Sequence, residues 1–241
     1  IVLSPAGDRD AMLYQFTSHD VQLIVCDLTG TEPVTSVGNV SYQDADTTIL
    51  QYLGFNTQRS PFDNAALRRA LGLGINRSAL ISAFFSGHAL AAQFPVSPVS
   101  SLYPQELETI YSYDAFASAM TAAGYATGTT TKTVTLLVNQ ENTFKVSAAQ
   151  DLAEALSAFD LKIQVSVLPW EEYTAALAAG NFDLYFGEIK LTADWNLSSL
   201  LSSGGALNYG GWADPQTDTL LSQYAVSQDR AGAMKTLCTY L

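Results

Sequence analysis

The pattern of hydrophobic and polar positions predicts strands and helices that alternate along most of the chain. Over residues 162–168 apolar and polar side chains alternate, with Ile163, Val165 and Val167 facing inward, which is the period of a strand with one buried face. Over residues 143–159 apolar side chains recur every three or four positions, which is typical of a helix packed on a core. The other predicted strands are 1–4, 21–28, 47–56, 133–138 and 182–189, and the other predicted helices are 8–17, 64–75, 78–86, 112–123, 170–179 and two or three segments after residue 195.

The order of these elements predicts an α/β fold. Helices separate the strands at 133–138, 162–168 and 182–189, so the chain must make crossover connections between them. Such connections produce a mostly parallel or mixed sheet with helices on both faces. The strand at 47–56 is almost continuously apolar, which is typical of a strand covered on both faces. We expect Asp63 to cap the helix that follows it.

The composition narrows the possible functions. Of the 241 residues 48% are hydrophobic, and 23 acidic residues against 11 basic ones give a net charge of −12. This balance argues against a nucleic-acid-binding groove, because neutralising phosphates requires clustered lysine and arginine. No apolar run approaches the roughly 18 residues of a membrane-spanning helix. The chain opens without methionine, and a predicted helix runs to its last residue, so we expect a piece of a longer protein whose signal peptide or anchor lies elsewhere.

Side chains that carry catalysis or bind metals are sparse. His19 and His88 are the two histidines, both in turn-like stretches, and no Gly-x-Ser-x-Gly motif is present. Residues 128–133 are similar to the end of a phosphate-binding loop but lack the glycine before the lysine. Cys26 and Cys238 are expected to be small buried hydrophobic residues, since no Cys-x-x-Cys pair occurs. We therefore expect no enzymatic activity, no cofactor and no bound metal.

One group of candidate ligand-binding residues directly follows the predicted strand at 182–189. Thr192, Asp194 and Trp195 lie where the carboxyl end of that strand reaches the edge of the sheet, which is where α/β sheets bind ligands. A carboxylate beside an indole can hold an ammonium group by charge-assisted hydrogen bonds and a cation–π contact. The alternative is structural: Asp194 or Asn196 caps the next helix, and Trp195 packs in the core.

A second candidate group follows the predicted strand at 133–138. Asn139, Glu141 and Asn142 lie at a strand-to-helix junction, and their polar side chains can face the same crevice. The alternative for this group is helix capping and solvation of the loop.

Five motifs occur in an order typical of one protein family. Residues 56–71 read N-T-Q-R-S-P-F-D-N-A-A-L-R-R-A-L. The other four are G-I-N-R-S-A-L at 74–80, P-V-S-P at 95–98, A-A-G-Y at 122–125 and G-N-F-D at 180–183. In this combination the chain resembles the family 5 extracellular solute-binding proteins, which are the oligopeptide, dipeptide and nickel receptors of ABC importers.

The resemblance implies that residues 1–241 form the smaller lobe of a two-lobed receptor of the type II periplasmic-binding-protein architecture. Such a receptor captures an oligopeptide or similar solute by hinge closure and delivers it to ABC permease subunits. It works as a monomer at the extracellular face of the membrane or in the periplasm, in some members as a lipoprotein. In peptide receptors of the family an aspartate pairs with the α-amino group of the ligand, and the matching A-D-W-N segment here places Asp194 in that role.

Two departures from the family pattern weigh against dipeptide specificity. Leu191 stands where peptide receptors often carry a tryptophan, and no arginine occurs near residues 139–142 to bind a ligand carboxylate. Two alternatives stay open: a receptor that senses a peptide for signalling, and binding of a sugar, nickel or haem by the same fold.

Overall fold

The computed structural model describes residues 2–25, 40–41, 43–85 and 87–241. The chain divides into two compact units, Ile1–Ala45 and Asp46–Leu241. The first unit contains helix α1 (Arg9–Thr17), which begins where the side chain of Asp8 accepts a hydrogen bond from the Ala11 N–H at 2.8 Å. Two predicted strands are wrong where the structure describes them: residues 2–4 of the strand predicted at 1–4, and residues 21–25 of the strand predicted at 21–28, pair with no neighbouring strand. Residue 1 and residues 26–28, which include Cys26, lie outside the described residues.

The second unit is built on a four-stranded sheet of the order β1-β4-β2-β3. Its strands are β1 (Ile49–Phe55), β2 (Lys132–Asn139), β3 (Leu161–Leu168) and β4 (Leu184–Lys190). Strand β2 runs parallel to β3 and β4, whereas β1 runs antiparallel to β4, with Ile49 opposite Lys190 and Phe55 opposite Leu184. The predicted mixed α/β sheet is confirmed.

The helices of this unit lie close to their predicted positions. They are α2 (Ala65–Gly74), α3 (Arg77–Phe84), α4 (Tyr113–Ala122), α5 (Thr143–Leu156), α6 (Trp170–Ala178), α7 (Ser198–Leu201), α8 (Pro215–Val226) and α9 (Arg230–Tyr240), with a 3-10 turn at Gln105–Leu107. Helix α5 ends three residues earlier than predicted, because the Ser157 hydroxyl accepts a hydrogen bond from the Ile163 N–H at 2.8 Å and Phe159 adopts a left-handed conformation with φ 61°. The cap of α2 is Asn64 rather than Asp63, since the Asn64 side chain accepts from the N–H groups of the first turn.

Helices cover both faces of the sheet. The larger core lies between one face and helices α2, α4 and α5, and its fully buried side chains include Phe62, Phe116, Leu136 and Leu156. On the opposite face a smaller cluster packs beneath α6 and includes Leu137, Tyr173, Leu177, Phe182 and Tyr185.

A third cluster joins helices α7, α8 and α9 to the last residues of the sheet. Leu197, Leu220, Tyr224 and Met234 are buried in it, and Leu50 of β1 and Ile189 of β4 pack against it. Cys238 is buried in the same cluster, as predicted. Strand β1 therefore contacts apolar clusters on both of its faces, which agrees with its almost continuous apolar sequence.

Val167 is exposed, unlike the other two residues predicted to face inward on this strand. Ile163 is buried and Val165 is half-buried against the main core, but Val167 is 41% exposed. Strand β3 is an outer strand of the sheet, and Val167 is the last residue but one of this strand.

Candidate functional site

The carboxyl ends of three parallel strands form one edge of the sheet. Asn139 ends β2, Leu168 ends β3 and Lys190 ends β4, and Ile49 at the start of β1 lies opposite Lys190. Both groups of predicted binding residues therefore follow strands that finish at the same edge, which is where open α/β sheets hold their ligands.

The loop after β4 carries the first group. Trp195 adopts a left-handed conformation with φ 54°, and its N–H donates to the Thr192 carbonyl oxygen at 2.9 Å. The Asn196 N–H donates to the Thr192 hydroxyl at 3.3 Å, and the Asn196 side chain accepts from the Ser198 N–H at 2.9 Å. Asn196 thus serves the start of α7, and the half-buried Trp195 packs against the third cluster, so the structural alternative accounts for both of these side chains.

Asp194 is left as the exposed acid of this loop. Its side chain is 51% exposed, and its pKa is lowered, first by a hydrogen bond from the Thr192 side chain, then by the backbone of Asn196 and the charge of Arg230. The Tyr224 hydroxyl donates to the Asp194 carbonyl oxygen, and Arg230 Nη1 lies 4.0 Å from Asp194 Oδ2. A carboxylate with a lowered pKa stays ionised at neutral pH, so it can accept hydrogen bonds from a cationic group.

The second group is occupied by local hydrogen bonds. Asn139 is only 7% exposed, and its amide donates to Glu141 Oε2 at 3.0 Å. Glu141 Oε1 accepts from the Trp170 N–H at 2.7 Å, so this exposed acid caps α6, and both bonds lower its pKa. Asn142 caps α5 by accepting from the Lys145 N–H at 3.3 Å. Within the described residues, no hydrogen bond or ion pair joins this group to the Asp194 loop.

Three further polar residues at this edge were not predicted from the sequence. Lys145 of α5 is 6% exposed, and its ammonium forms an ion pair with Glu188 of β4. The amide of Gln51, opposite Glu188 on β1, donates to Glu188 Oε2 at 2.5 Å. Gln51 Oε1 is buried and has no hydrogen-bond partner among the described residues. A buried acceptor without a donor is costly, so this group leaves a hydrogen-bonding position unfilled.

The signal for these residues was present in the periodicity. Lys145 lies on the stripe of α5 that also carries Ala149 and Leu152, and a charged residue on an apolar stripe indicates a buried partner. Glu188 occupies the inward position of β4 two residues after Phe186. The sequence alone therefore marks Lys145 and Glu188 as charged residues that need partners, whereas the contact between them is set by the packing of α5 on the sheet.

Metal ligands do not gather in the part of the chain that the structure describes. No group of three histidine, cysteine, aspartate or glutamate side chains is arranged to hold an ion there, and His19 and His88 are both exposed. Over the same residues, no helix has the length and apolar character needed to cross a membrane. A shallow depression of about 390 Å³ lies between α8 and α9, and another of about 480 Å³ lies over α8; their walls contain none of the six predicted binding residues.

Most of the chain is similar in sequence to known solute-binding proteins. The family model described as bacterial extracellular solute-binding proteins, family 5 Middle, matches residues 1–208. The glutathione-binding protein GsiB of Pectobacterium atrosepticum is 29% identical over 195 residues, which cover 75% of this chain and 37% of that protein. GsiB of Escherichia coli strain K12 is 28% identical over 207 residues, covering 80% and 40%. The chain thus spans about two fifths of the length of these relatives.

Solved structures share the fold. The oligopeptide-binding protein AppA from Bacillus subtilis, in complex with a nonapeptide, superposes with a TM-score of 0.75 at 18% identity, over 95% of this chain and 49% of that one. OppA of Haemophilus influenzae, in complex with the peptide RPPGFSPFR, gives 0.70 at 18% identity, over 81% and 40%. The expected type II periplasmic-binding-protein architecture is confirmed. With the family model matching most of its length, the chain belongs to the family 5 extracellular solute-binding proteins.

Proposed function

We propose that this chain is one lobe of the solute-binding component of an ABC importer and that it captures a peptide-like ligand. The remaining lobe would come from further sequence of a longer protein, since the chain spans only about two fifths of its relatives. The family is described as extracellular, and we place the protein in the periplasm or at the outer face of the membrane, as a monomer that docks on permease subunits.

The observation that carries this proposal is the ionised, half-exposed Asp194 at the carboxyl edge of the sheet. An ammonium group of the ligand would pair with this carboxylate by charge-assisted hydrogen bonds. A hydrogen bond from the Thr192 side chain lowers the pKa of this carboxylate, and the half-buried Trp195 next to it in sequence packs against the third cluster. Asn139, Glu141 and Asn142 would form the other end of the same wall, where their own hydrogen bonds fix the loops that meet the ligand.

Capture would proceed by closure of two lobes around the ligand. A ligand that contacts both walls binds the closed state more tightly than the open one, and this difference in affinity shifts the population towards closure. The closed form is then the one that the permease recognises. No bond is made or broken in such a cycle, so the binding wall needs only charge, shape and hydrogen bonds.

A peptide-like ligand is the chemistry that the comparisons favour. Two relatives are named for glutathione, and the AppA and OppA structures contain peptides, so a free amine on a short peptide is the common feature. Asp194 is an exposed acid at this sheet edge that matches that amine in charge. The acidic balance of the whole chain, with a net charge of −12, also favours an amine over a strongly anionic solute.

The test is to identify what the full-length protein holds. The protein is purified from its native host without dialysis, and small molecules released by denaturation are identified by mass spectrometry. We expect a peptide or peptide conjugate with a free amino group. The Asp194→Asn variant should retain at most about a tenth of it, because the loss of one charge-assisted bond weakens binding by about tenfold or more.

The matched control is Asp151→Asn, which removes the same charge from an exposed position of α5 that makes no side-chain hydrogen bond or ion pair within the described residues. This variant should retain the ligand at the level of the unaltered protein. A released molecule without an amine, such as a sugar or a metal chelate, would contradict the proposal. So would undiminished ligand in Asp194→Asn.

A further inference from the structure

Arg230 at the start of α9 is held against the Asp194 loop by two contacts. Its guanidinium carbon lies 4.9 Å from the centre of the Tyr224 ring, a cation–π arrangement. Its Nη1 lies 3.5 Å from the Asp194 carbonyl oxygen. Tyr224 itself donates a hydrogen bond to that same carbonyl oxygen, so one aromatic side chain fixes both the arginine and the loop.

The side chains of Arg230 and Asp194 form a long, solvent-accessible ion pair. Nη1 and Oδ2 are 4.0 Å apart, which is too long for a hydrogen bond, and the two side chains are 37% and 51% exposed. An arginine has five N–H donors, and within the described residues Arg230 uses one of them, in the long contact to the Asp194 carbonyl. The other donors are therefore available to an anionic group that approaches from solvent.

The Asp194 carboxylate and the Arg230 guanidinium lie side by side, and both are accessible to solvent. Together they match a ligand group that carries a positive and a negative charge close to each other. We infer that Asp194 and Arg230 together recognise an amino-acid head group in which the ammonium and the carboxylate are bonded to the same carbon. Asp194 takes the ammonium and Arg230 takes the carboxylate through its planar fork of donors. Free amino acids and γ-linked glutamyl peptides carry this head group.

An ordinary α-linked peptide lacks that arrangement at its amino terminus. Its terminal ammonium can pair with Asp194, but the adjacent carboxylate has become a neutral amide. Arg230 would then keep unpaired donors beside a second cation, and that repulsion lowers affinity. The inference rests on the proposed function, because it adds a second contact to the same wall and names the class of ligand that the wall prefers.

The experiment compares two isomers that have the same composition and net charge. γ-Glutamylalanine carries its ammonium and carboxylate on one carbon, whereas α-glutamylalanine does not. Isothermal titration of each into the ligand-free full-length protein should show the γ isomer binding about tenfold more tightly, since one additional charge-assisted bond separates them. The Arg230→Gln variant should bind the two isomers with equal affinity.

Controls separate recognition from support of the loop. Arg69→Gln removes the same charge from an exposed position of α2 and should keep the tenfold preference. Arg230→Lys keeps the positive charge but lacks the planar set of guanidinium donors, so this variant should keep part of the tenfold preference. It also provides a test if Arg230→Gln does not fold. Equal binding of both isomers by the unaltered protein, no binding of either at millimolar concentration, or an unchanged preference in Arg230→Gln would overturn the inference.

The same titrations distinguish this inference from the proposed function. If Asp194→Asn weakens both isomers while Arg230→Gln leaves their ratio unchanged, the amine site stands and only the role of Arg230 is wrong. If Asp194→Asn changes the affinity for neither isomer, the amine site itself is wrong.

Discussion

Asp160 shows how one buried side chain decides what a loop can bind. Its carboxylate accepts hydrogen bonds from the Thr127 N–H at 2.7 Å, the Thr127 hydroxyl at 2.6 Å and the Gly128 N–H at 3.0 Å. Residues 128–133 are similar in sequence to the end of a phosphate-binding loop, whose backbone N–H groups hold the phosphate. Here the Gly128 N–H, the first in this segment, donates to Asp160, so it is not available to bind an anion.

The Asp160→Asn substitution should lower the thermal unfolding midpoint, and the loss should depend on pH. The Thr127 side chain, and then its backbone and that of Gly128, lower the pKa of Asp160 in the folded protein. A lowered folded pKa means that the carboxylate stabilises the fold at pH values above its unfolded pKa of about 3.9, and this contribution disappears as the pH falls through the folded pKa.

Thermal scans followed by circular dichroism from pH 7 to pH 3 check this prediction. The difference between Asp160→Asn and the unaltered protein should be largest near neutral pH and should shrink below about pH 4. Asp151→Asn, at an exposed position, should match the unaltered protein throughout. A difference that stays constant across the whole range would show that the charge of Asp160 does not contribute.

At the scale of elements, the antiparallel pair of β1 and β4 depends on two glycines. Gly54 lies opposite Tyr185, and Gly187 lies opposite Tyr52. A Cβ atom at Gly54 would overlap the Tyr185 ring, and one at Gly187 would overlap the Tyr52 ring. The two rings meet edge to face with their centres 5.6 Å apart, so the absence of side chains at the glycines is what allows the tyrosines to lie across the sheet.

Gly54→Ala should therefore destabilise the protein by about 1–3 kcal/mol, the usual cost of overpacking a core. The control is Gly72→Ala in α2, where an added Cβ meets no atom within 4 Å. That substitution should be neutral or stabilise by up to about 1 kcal/mol, because alanine is the better helix former. Urea unfolding of both variants measures the two free energies. Equal effects of the two substitutions would contradict the role given to the tyrosine rings.

For the whole molecule, the sheet edge is one wall of the proposed binding site. The wall carries an exposed acid at Asp194, its neighbour Arg230, and the linked side chains of Gln51, Lys145 and Glu188. Within this group, the Oε1 atom of Gln51 is buried and has no hydrogen-bond partner among the described residues.

The two-wall hypothesis predicts that residues 1–241 alone bind the ligand of the full-length protein only weakly, with a dissociation constant of roughly 1 mM or higher. Half of the contacts and all of the closure energy are absent from the single wall. Calorimetry with the recovered ligand, on this chain and on the full-length protein in parallel, measures the difference. Micromolar affinity for the chain alone would contradict the hypothesis.

Local pattern explains which parts of the fold were predictable. Helices α5 and α6 and strands β2 and β3 were predicted within three residues at each end, because their periodicity is set by neighbours a few positions away. The placement of the candidate acid Asp194 after a strand end also followed from sequence order alone.

The sequence by itself determined the types of element, the α/β class and the motifs that identify the family. Tertiary structure alone decided the antiparallel direction of β1 and the partners of the charged residues. Lys145 meets Glu188 across 43 positions, and Arg230 meets Asp194 across 36 positions. Such partners depend on how distant elements pack, because the residues of each pair are far apart in sequence and no local pattern connects them.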